Sequence, residues 1–362
     1  MTLLTRRWIV YLCIFMLAFN LTACTSKETI PQKDAENPVT VIDCIEREVK
    51  VPEKVERIGA LYAVSGHMVS MLGYGDRIVT VTEGLKRDIL LTRIIPEINQ
   101  ASAPKSSGTT NIEELLKAEP DVLFVDEETL QNKGEAETFE KFNIPYFVVT
   151  FNSIEEQMDA VRKVGKVIGA EERAEKYISY YQSIIDKVSD RVSEIPDDER
   201  IRIYHSVNEA TRTDAPDTLP AEWTEIAGLV NVSVGKKLRF VDNKNYANIE
   251  QILLWNPDVI LVNEDGIEEK ILNDLQWKNI KAVKDHKVFL LPNGISRWGH
   301  PNSIETPLAI LWSAKTIYPE KFEDIDMMME TKNFYKEFFN YSLSDDEAVQ
   351  ILSGKGMRKP KQ

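Results

Sequence analysis

The chain has 362 residues, 43% of them hydrophobic and 28% charged, with a formal net charge of -14. That length allows two ordinary domains with sizeable cores, and the acidic balance argues against a nucleic-acid partner. The basic clusters are short: Arg6–Arg7, the stretch GKKLR, and the tail GKGMRKPKQ.

Arg6 and Arg7 precede an apolar run, WIVYLCIFMLAFNLTA, which ends just before Cys24. A charged start, an apolar centre and small residues at the end make a secretory leader. The run is short for a membrane span, and polar Thr25, Ser26, Lys27 and Glu28 follow at once. The stretch LTAC, Leu21 to Cys24, resembles the lipobox of bacterial lipoproteins. That resemblance implies that Cys24 is acylated and becomes the first mature residue. Residues 1–23 are therefore expected to be a signal peptide, and 24–38 a lipid anchor with a polar tether. With Cys13 removed and Cys24 lipidated, Cys44 stands alone, so no intramolecular disulfide is expected.

The stretch VTVIDCIEREVKVPEKVERIGAL alternates and then turns apolar, which predicts a short hairpin and a buried strand ending near Leu61. SGHMVSMLGYGDRIVTV predicts a helix, a glycine turn and a strand. NIPYFVVT reads as a strand apolar on both faces, as in a parallel sheet covered by helices. From Ser153 to about Val192 the apolar residues recur at helical spacing, opened by an S-x-x-E capping box at Ser153 and Glu156. Gly169 marks a bend or a break in it. RIRIYHSV is a strand, and PAEWTEIAGLVNV holds a helix ended by glycine. DHKVFLLP is another strand. NSIETPLAILWSAKTIYP predicts an amphipathic helix capped by Asn302 or Ser303 and stopped by Pro319. NFYKEFFNYSLSDDEAVQIL reads as two helices. Strand–helix alternation in both halves predicts an α/β fold: two similar lobes with largely parallel sheets, joined by a long helical connector, with a ligand cleft between. The expected limits are 39–152 for the first lobe, 153–195 for the connector, 196–352 for the second lobe and 353–362 for a flexible basic tail.

One sentence is written twice. TNIEELLKAEPDVLFVDE runs from Thr110 to Glu127 and ANIEQILLWNPDVILVNE from Ala247 to Glu264, identical at nine of eighteen positions at an offset of 137 residues. Asn111 and Asn248 suit an N-cap, with Glu114 and Gln251 three residues later. Pro120 and Pro257 end the helix, and DVLFV and DVILV are buried strands. Each copy is thus one helix–turn–strand unit. Glu113 and Glu250 are left over: an acid in a first helical turn gains about 0.3–1 kcal/mol from the helix dipole, which alone would explain either.

A lipobox, two α/β lobes, a helical connector and N-I-E-x-[IL]-L-x(3)-P-D-V in both halves resemble the substrate-binding lipoproteins of ABC importers for siderophores, haem and vitamin B12. DCIEREVKVPEKVERIGAL is similar to that family's opening, with Glu46 where glycine is common, and LGYGDRIVTV is similar to its next strand. The match runs from about Val39 to Phe339. It implies a non-enzymatic, monomeric binding protein without a cofactor of its own. Its partners would be an ABC permease dimer with its ATPase, a small-molecule metal chelate, and the membrane through the lipid anchor. It also implies that Glu113 and Glu250 dock onto arginines of the permease, one copy per half of a two-fold partner.

Such a cargo would lie between the lobes at the C-terminal ends of strands. Loops expected there offer Tyr62 and His67 from the first lobe. The second lobe offers Tyr204, His205, Arg212, Arg239, Tyr246, Arg297, Trp298 and His300. His67 and His300, from opposite lobes, are the candidates for metal contact, since neutral imidazole is a common transition-metal ligand. No HxxxH, CxxC or HExxH spacing supports a metal cage made by protein alone. Arg212, Arg239 and Arg297 suit an anionic cargo, because a guanidinium donates two parallel bonds to a carboxylate. An iron chelate or haem is the first expectation, a corrinoid the next, and a nickel or cobalt chelate the one His67 and His300 favour. The rival reading, an extracytoplasmic hydrolase, lacks G-x-S-x-G, and its S-x-x-K matches, SAPK and SVGK, are expected in loops.

Overall fold

The first elements are a hairpin. Strands β1 (Pro38–Ile42) and β2 (Glu48–Pro52) pair antiparallel, and the Asp43 carboxylate ties the turn by accepting from the amides of Ile45 and Arg47. Glu46 in that turn has φ 63°, the left-handed region that favours glycine, which gives the departure at this position a physical cost. Its carboxylate pairs with Lys163 at 2.8 Å. This computed structural model describes residues 38–106 and 109–359, so Cys24, the leader and nearly all of the tether lie outside the described residues.

The first lobe is built on β3 (Ile58–Ala60), β4 (Ile78–Thr82), β5 (Ser102–Ser106), β6 (Thr109–Thr110), β7 (Val122–Val125) and β8 (Tyr146–Val148). Their order is β6-β5-β4-β3-β7-β8, parallel throughout except for β6. SAPK, expected in a loop, forms most of β5. Pro104 lacks an amide, and the pairing of β5 with β4 shifts register there. The second lobe carries β9 (Arg202–Ser206), β10 (Val230–Asn231), β13 (Val259–Val262) and β14 (Val288–Leu290), all parallel in the order β10-β9-β13-β14. A separate hairpin, β11 (Arg239–Val241) and β12 (Lys244–Tyr246), projects from it. The order β4-β3-β7-β8 in one lobe thus answers β10-β9-β13-β14 in the other.

The repeated sentence encodes one joint, used twice. The helix Ile112–Lys117 leads to β7 and the helix Ile249–Trp255 leads to β13. Asn111 accepts from the amides of Glu113 and Glu114, and Asn248 and Gln251 form a full capping box; such caps contribute about 1 kcal/mol each. Asp121 accepts from the amides of Glu56 and Arg57 at the entry to β3. Asp258 accepts from the Arg202 amide at the entry to β9. The Arg57 guanidinium donates to the Ala118 carbonyl at 2.6 Å and that of Arg202 to the Trp255 carbonyl at 2.7 Å. The two carbonyls are 137 residues apart, the same offset as the repeat. In both lobes an aspartate and an arginine therefore lock a helix end onto the neighbouring strand.

The connector is two helices, Ile154–Ile168 and Glu171–Val192, broken at Gly169, whose φ of 71° is the left-handed end of the first. Ser153 caps the Glu156 amide as expected, but the Glu156 carboxylate accepts from the amide of Asn152 instead of closing the box. The helix Thr306–Ile317 begins later than expected, with Pro307 in its first turn and no cap from Asn302 or Ser303. It is not amphipathic: Thr306 to Leu311, Ser313 and Ala314 are all buried, because it runs against the connector inside the molecule. The two expected final helices are Met327–Phe339 and Asp345–Ser353.

One core runs unbroken from Val41 to Met357, through both lobes, the connector and these last helices. A smaller core lies on the outer face of each sheet. A core that continues through both lobes resists hinge opening. The tail is the clearest departure. Residues 354–359 were expected to be flexible, yet Met357 is 1% exposed and its carbonyl accepts from the Ile89 amide of the first lobe at 3.1 Å. A stretch rich in lysine and glycine reads as solvated in sequence, and only the first lobe supplies the surface that buries its one apolar residue.

Candidate functional site

The loops at the C-terminal ends of strands from both lobes converge on a cavity of about 310 Å³. Arg87 reaches it from the end of the short helix Glu83–Lys86 that follows β4. Glu264 and Asp265 follow β13, and Asn293 and Arg297 follow β14; Gly356, Arg358 and Lys359 come from the tail. Four cationic side chains thus face two carboxylates, on a chain whose overall charge is strongly negative. Arg297 pairs with Glu264. Burial and then the nearby guanidinium of Arg358 hold its pKa below the usual arginine range, with Arg212 and Arg87 adding to the effect. Arg212 is half-buried and carries no hydrogen bond or ion pair on its guanidinium among the described residues. The site therefore holds surplus positive charge that an anion would relieve.

His300 lies in the loop after β14. Its pKa is pushed well below the ordinary imidazole value, by burial first and then by Arg297, Arg212 and Arg358. Its Nδ1 accepts from the Asn302 amide at 3.1 Å, so the neutral ring carries its proton on Nε2. That tautomer is a hydrogen-bond donor and leaves no lone pair on Nε2 for a metal. His67 is 4% exposed inside the helix Ala63–Met71, and its Nε2 is taken by Asp88 at 2.9 Å. Neither histidine lines the cavity, and no metal-holding group of three or more His, Cys, Asp or Glu occurs among the described residues. The expected metal contact by His67 and His300 is therefore not what this arrangement provides.

Other expected site residues fall elsewhere. Tyr204 is fully buried between Trp255 and Trp277, with its hydroxyl on the Ala210 carbonyl. Trp298 is fully buried in the central core and cannot close on a ligand. In both cases a large aromatic ring gains more by burial than it would at a wet cleft. Arg239 is exposed on β11 and stacks on Tyr246 at 5.3 Å, away from the cavity; the Tyr246 hydroxyl donates to Glu209. Tyr62 caps the helix that carries His67 and lies near Asp126 and Glu128, with its phenol pKa raised by burial. His205 is fully buried, with Nδ1 on Asp214 at 2.8 Å and Nε2 unpartnered. Of the expected residues, Arg297 lines the cavity, and Arg212 and His300 stand close enough to act on its charge.

Sequence reasoning passed over Arg87, Glu264, Asp265, Asn293, Arg358 and Lys359. Glu264, Asp265 and Asn293 lie within three residues of the ends of β13 or β14, so a stricter use of the strand-end rule would have found them. Glu305 was also missed. It is fully buried and accepts from the Ser296 amide and hydroxyl and from the Tyr335 hydroxyl, which pins the loop bearing Arg297. Burial pushes its pKa up, and the donors of Tyr335 and Ser296 oppose that rise. Glu305→Ala strands these donors in a dry interior and should cost about 2–4 kcal/mol in a denaturation experiment. Glu305→Gln, which keeps the volume, should cost less; equal losses would discount the hydrogen bonds.

The profile of the periplasmic binding proteins matches residues 71–294. The chain belongs to the periplasmic binding protein family. The molybdate-binding protein MolA of Haemophilus influenzae is 27% identical, over 86% of this chain and 93% of MolA. The solved structure of MolA bound to molybdate superposes with a TM-score of 0.75, covering 84% of this chain and 99% of that one at 24% identity. Helicobacter pylori CeuE, solved as a nickel–histidine complex, gives 0.70 over 87% and 99% at 22% identity. An ABC transporter substrate-binding lipoprotein of Bacillus subtilis, YvrC, is 24% identical over 81% of this chain and 90% of YvrC. This periplasmic binding protein is thus the substrate-binding component of an ABC transporter. Members of the family are extracytoplasmic transport proteins, not enzymes. No helix among the described residues is long and apolar enough to cross a membrane.

Proposed function

We propose that the cleft captures a small, multiply charged oxyanion, with molybdate the first candidate, and delivers it to an ABC permease and its ATPase. The observation that carries this reading is the cavity itself: about 310 Å³, with Arg87, Arg297, Arg358 and Lys359 on its walls. That volume is at the small end for ligand sites, which suits a compact cargo better than haem or a bulky ferric siderophore. MolA, a relative over most of the chain, binds molybdate by name.

Glu264 and Asp265 on the same wall favour a second reading. A cargo of mixed charge, such as a metal ion chelated by an amino acid, would use both signs, and CeuE was solved with nickel and histidine. This keeps the metal-chelate expectation in a compact form. Isothermal titration with molybdate, tungstate, sulfate, nickel–histidine, haem and a ferric catecholate separates the readings. Binding of molybdate or tungstate supports the first. Binding of nickel–histidine alone moves the conclusion to the second, and binding of haem alone overturns both.

For delivery, Glu113 and Glu250 are the proposed contacts. Each is exposed in the first turn of its helix, with no hydrogen bond or ion pair on its carboxylate among the described residues. The lipid anchor at Cys24 completes the proposal, consistent with the description of YvrC as a lipoprotein.

A further inference from the structure

The residues after the last helix cross from one lobe to the other. Gly354 turns the chain at φ 73°, where a Cβ would stand 2.5 Å from the Leu291 carbonyl oxygen, so the turn requires glycine. Lys355 remains on the second lobe, paired with Glu268 at 3.3 Å and Glu269 at 3.0 Å. From Met357 the chain lies on the first lobe. The Ile89 amide donates to the Met357 carbonyl, the Lys359 amide donates to the Arg87 carbonyl, and Arg87 Nε donates to the Lys359 carbonyl. Asp88 and Arg358 form an antiparallel bridge. The Arg358 guanidinium bonds the buried Asp88 carboxylate at 3.1 Å, and the other carboxylate oxygen holds His67. Two backbone bonds and a buried ion pair are more than a dangling tail would make.

We propose that residues 355–359 are a strap that ties the two lobes across the cleft and delivers Arg358 to the cargo as a binding residue. This rests on the anionic-cargo reading for the role of Arg358, but not for the tie between lobes. Asp88 holds one amino group of the guanidinium and the Gly84 carbonyl accepts from the other at 3.4 Å, while Arg358 still lines the cavity, where its remaining N–H groups would meet an anion. Cargo then binds to both lobes and to the strap at once. Release requires the strap to yield or the cargo to leave by the remaining mouth.

Two variants test it: a chain ended after Gly354, and Arg358→Gln in the complete chain. Affinity and dissociation rate for molybdate are read by titration and by stopped-flow tryptophan fluorescence. Exchange of the Ile89 amide is read without cargo. The expected result is at least tenfold weaker binding in both variants. Both variants should dissociate faster, and the shortened chain alone should also show faster exchange at Ile89, because Arg358→Gln keeps the Met357–Ile89 bond. Binding within twofold of the unaltered protein in both variants overturns the proposal and leaves the oxyanion reading intact. If the unaltered protein binds no oxyanion, the cargo reading fails first. Ile89 exchange then decides the strap alone, and unchanged protection after truncation overturns it. If the shortened chain fails to fold by circular dichroism, Arg358→Gln decides the binding role.

Discussion

Reversing the charge at both repeat positions, with Glu113→Lys and Glu250→Lys together, should reduce uptake by whole cells to background while cargo affinity stays within twofold. Both carboxylates are exposed and unpaired among the described residues, and neither lines the cavity, so binding has no reason to change. The joint that carries each one is the same: an asparagine cap, a short helix, a proline, and a strand locked by Asp121 or Asp258. Identical joints on two similar lobes present equivalent charges to a two-fold partner. A cation placed where the partner expects an anion costs several kcal/mol at a contact. Each single reversal should therefore leave partial uptake. Normal uptake by the double variant would sink the docking role and return both glutamates to the helix dipole, which needs no partner.

The second large effect is expected at Arg297. Arg297→Gln should weaken molybdate binding by about 2–5 kcal/mol, or roughly 30-fold and upward in Kd. Arg297 sits on the cavity wall, largely buried, beside Arg358 and Arg212, so its charge acts in a poorly solvated place. The substitution also frees Glu264, whose carboxylate then faces the anion unpaired. Titrations at rising ionic strength sharpen the test, since screening should erode the difference between the two proteins. A change below threefold would mean that cargo lies elsewhere. By contrast, Arg239→Gln should leave binding unaltered, because that side chain is stacked on Tyr246 away from the cavity.

The repeat shows how far local chemistry can be read. Caps, prolines and runs of β-branched residues announced both helix–turn–strand units, and those contacts are separated by few residues. The hairpin at Val39 and the break at Gly169 were legible for the same reason. The burial of Thr306–Ile317 was not: its sequence suggests one wet face, and it lost that face only because the connector lies against it. Histidines misled in the same manner. His67 and His300 stand in glycine-flanked stretches that promise a cleft. Asp88 and the Asn302 amide, which engage their ring nitrogens, are visible as partners only in three dimensions.

By itself, then, the amino-acid sequence determined the two-lobed parallel α/β plan, the duplicated joint, and the exposed glutamates at its helix starts. All three follow from short-range rules of capping, periodicity and turn chemistry. Only the tertiary structure brought together the charges that line the cavity. Arg87, Glu264, Arg297 and Arg358 lie far apart along the chain, and each is an ordinary surface charge when read singly. Their meaning is electrostatic and depends on distance, so it emerges only when strand ends and the C-terminal segment bring like charges together in a partly dry cleft.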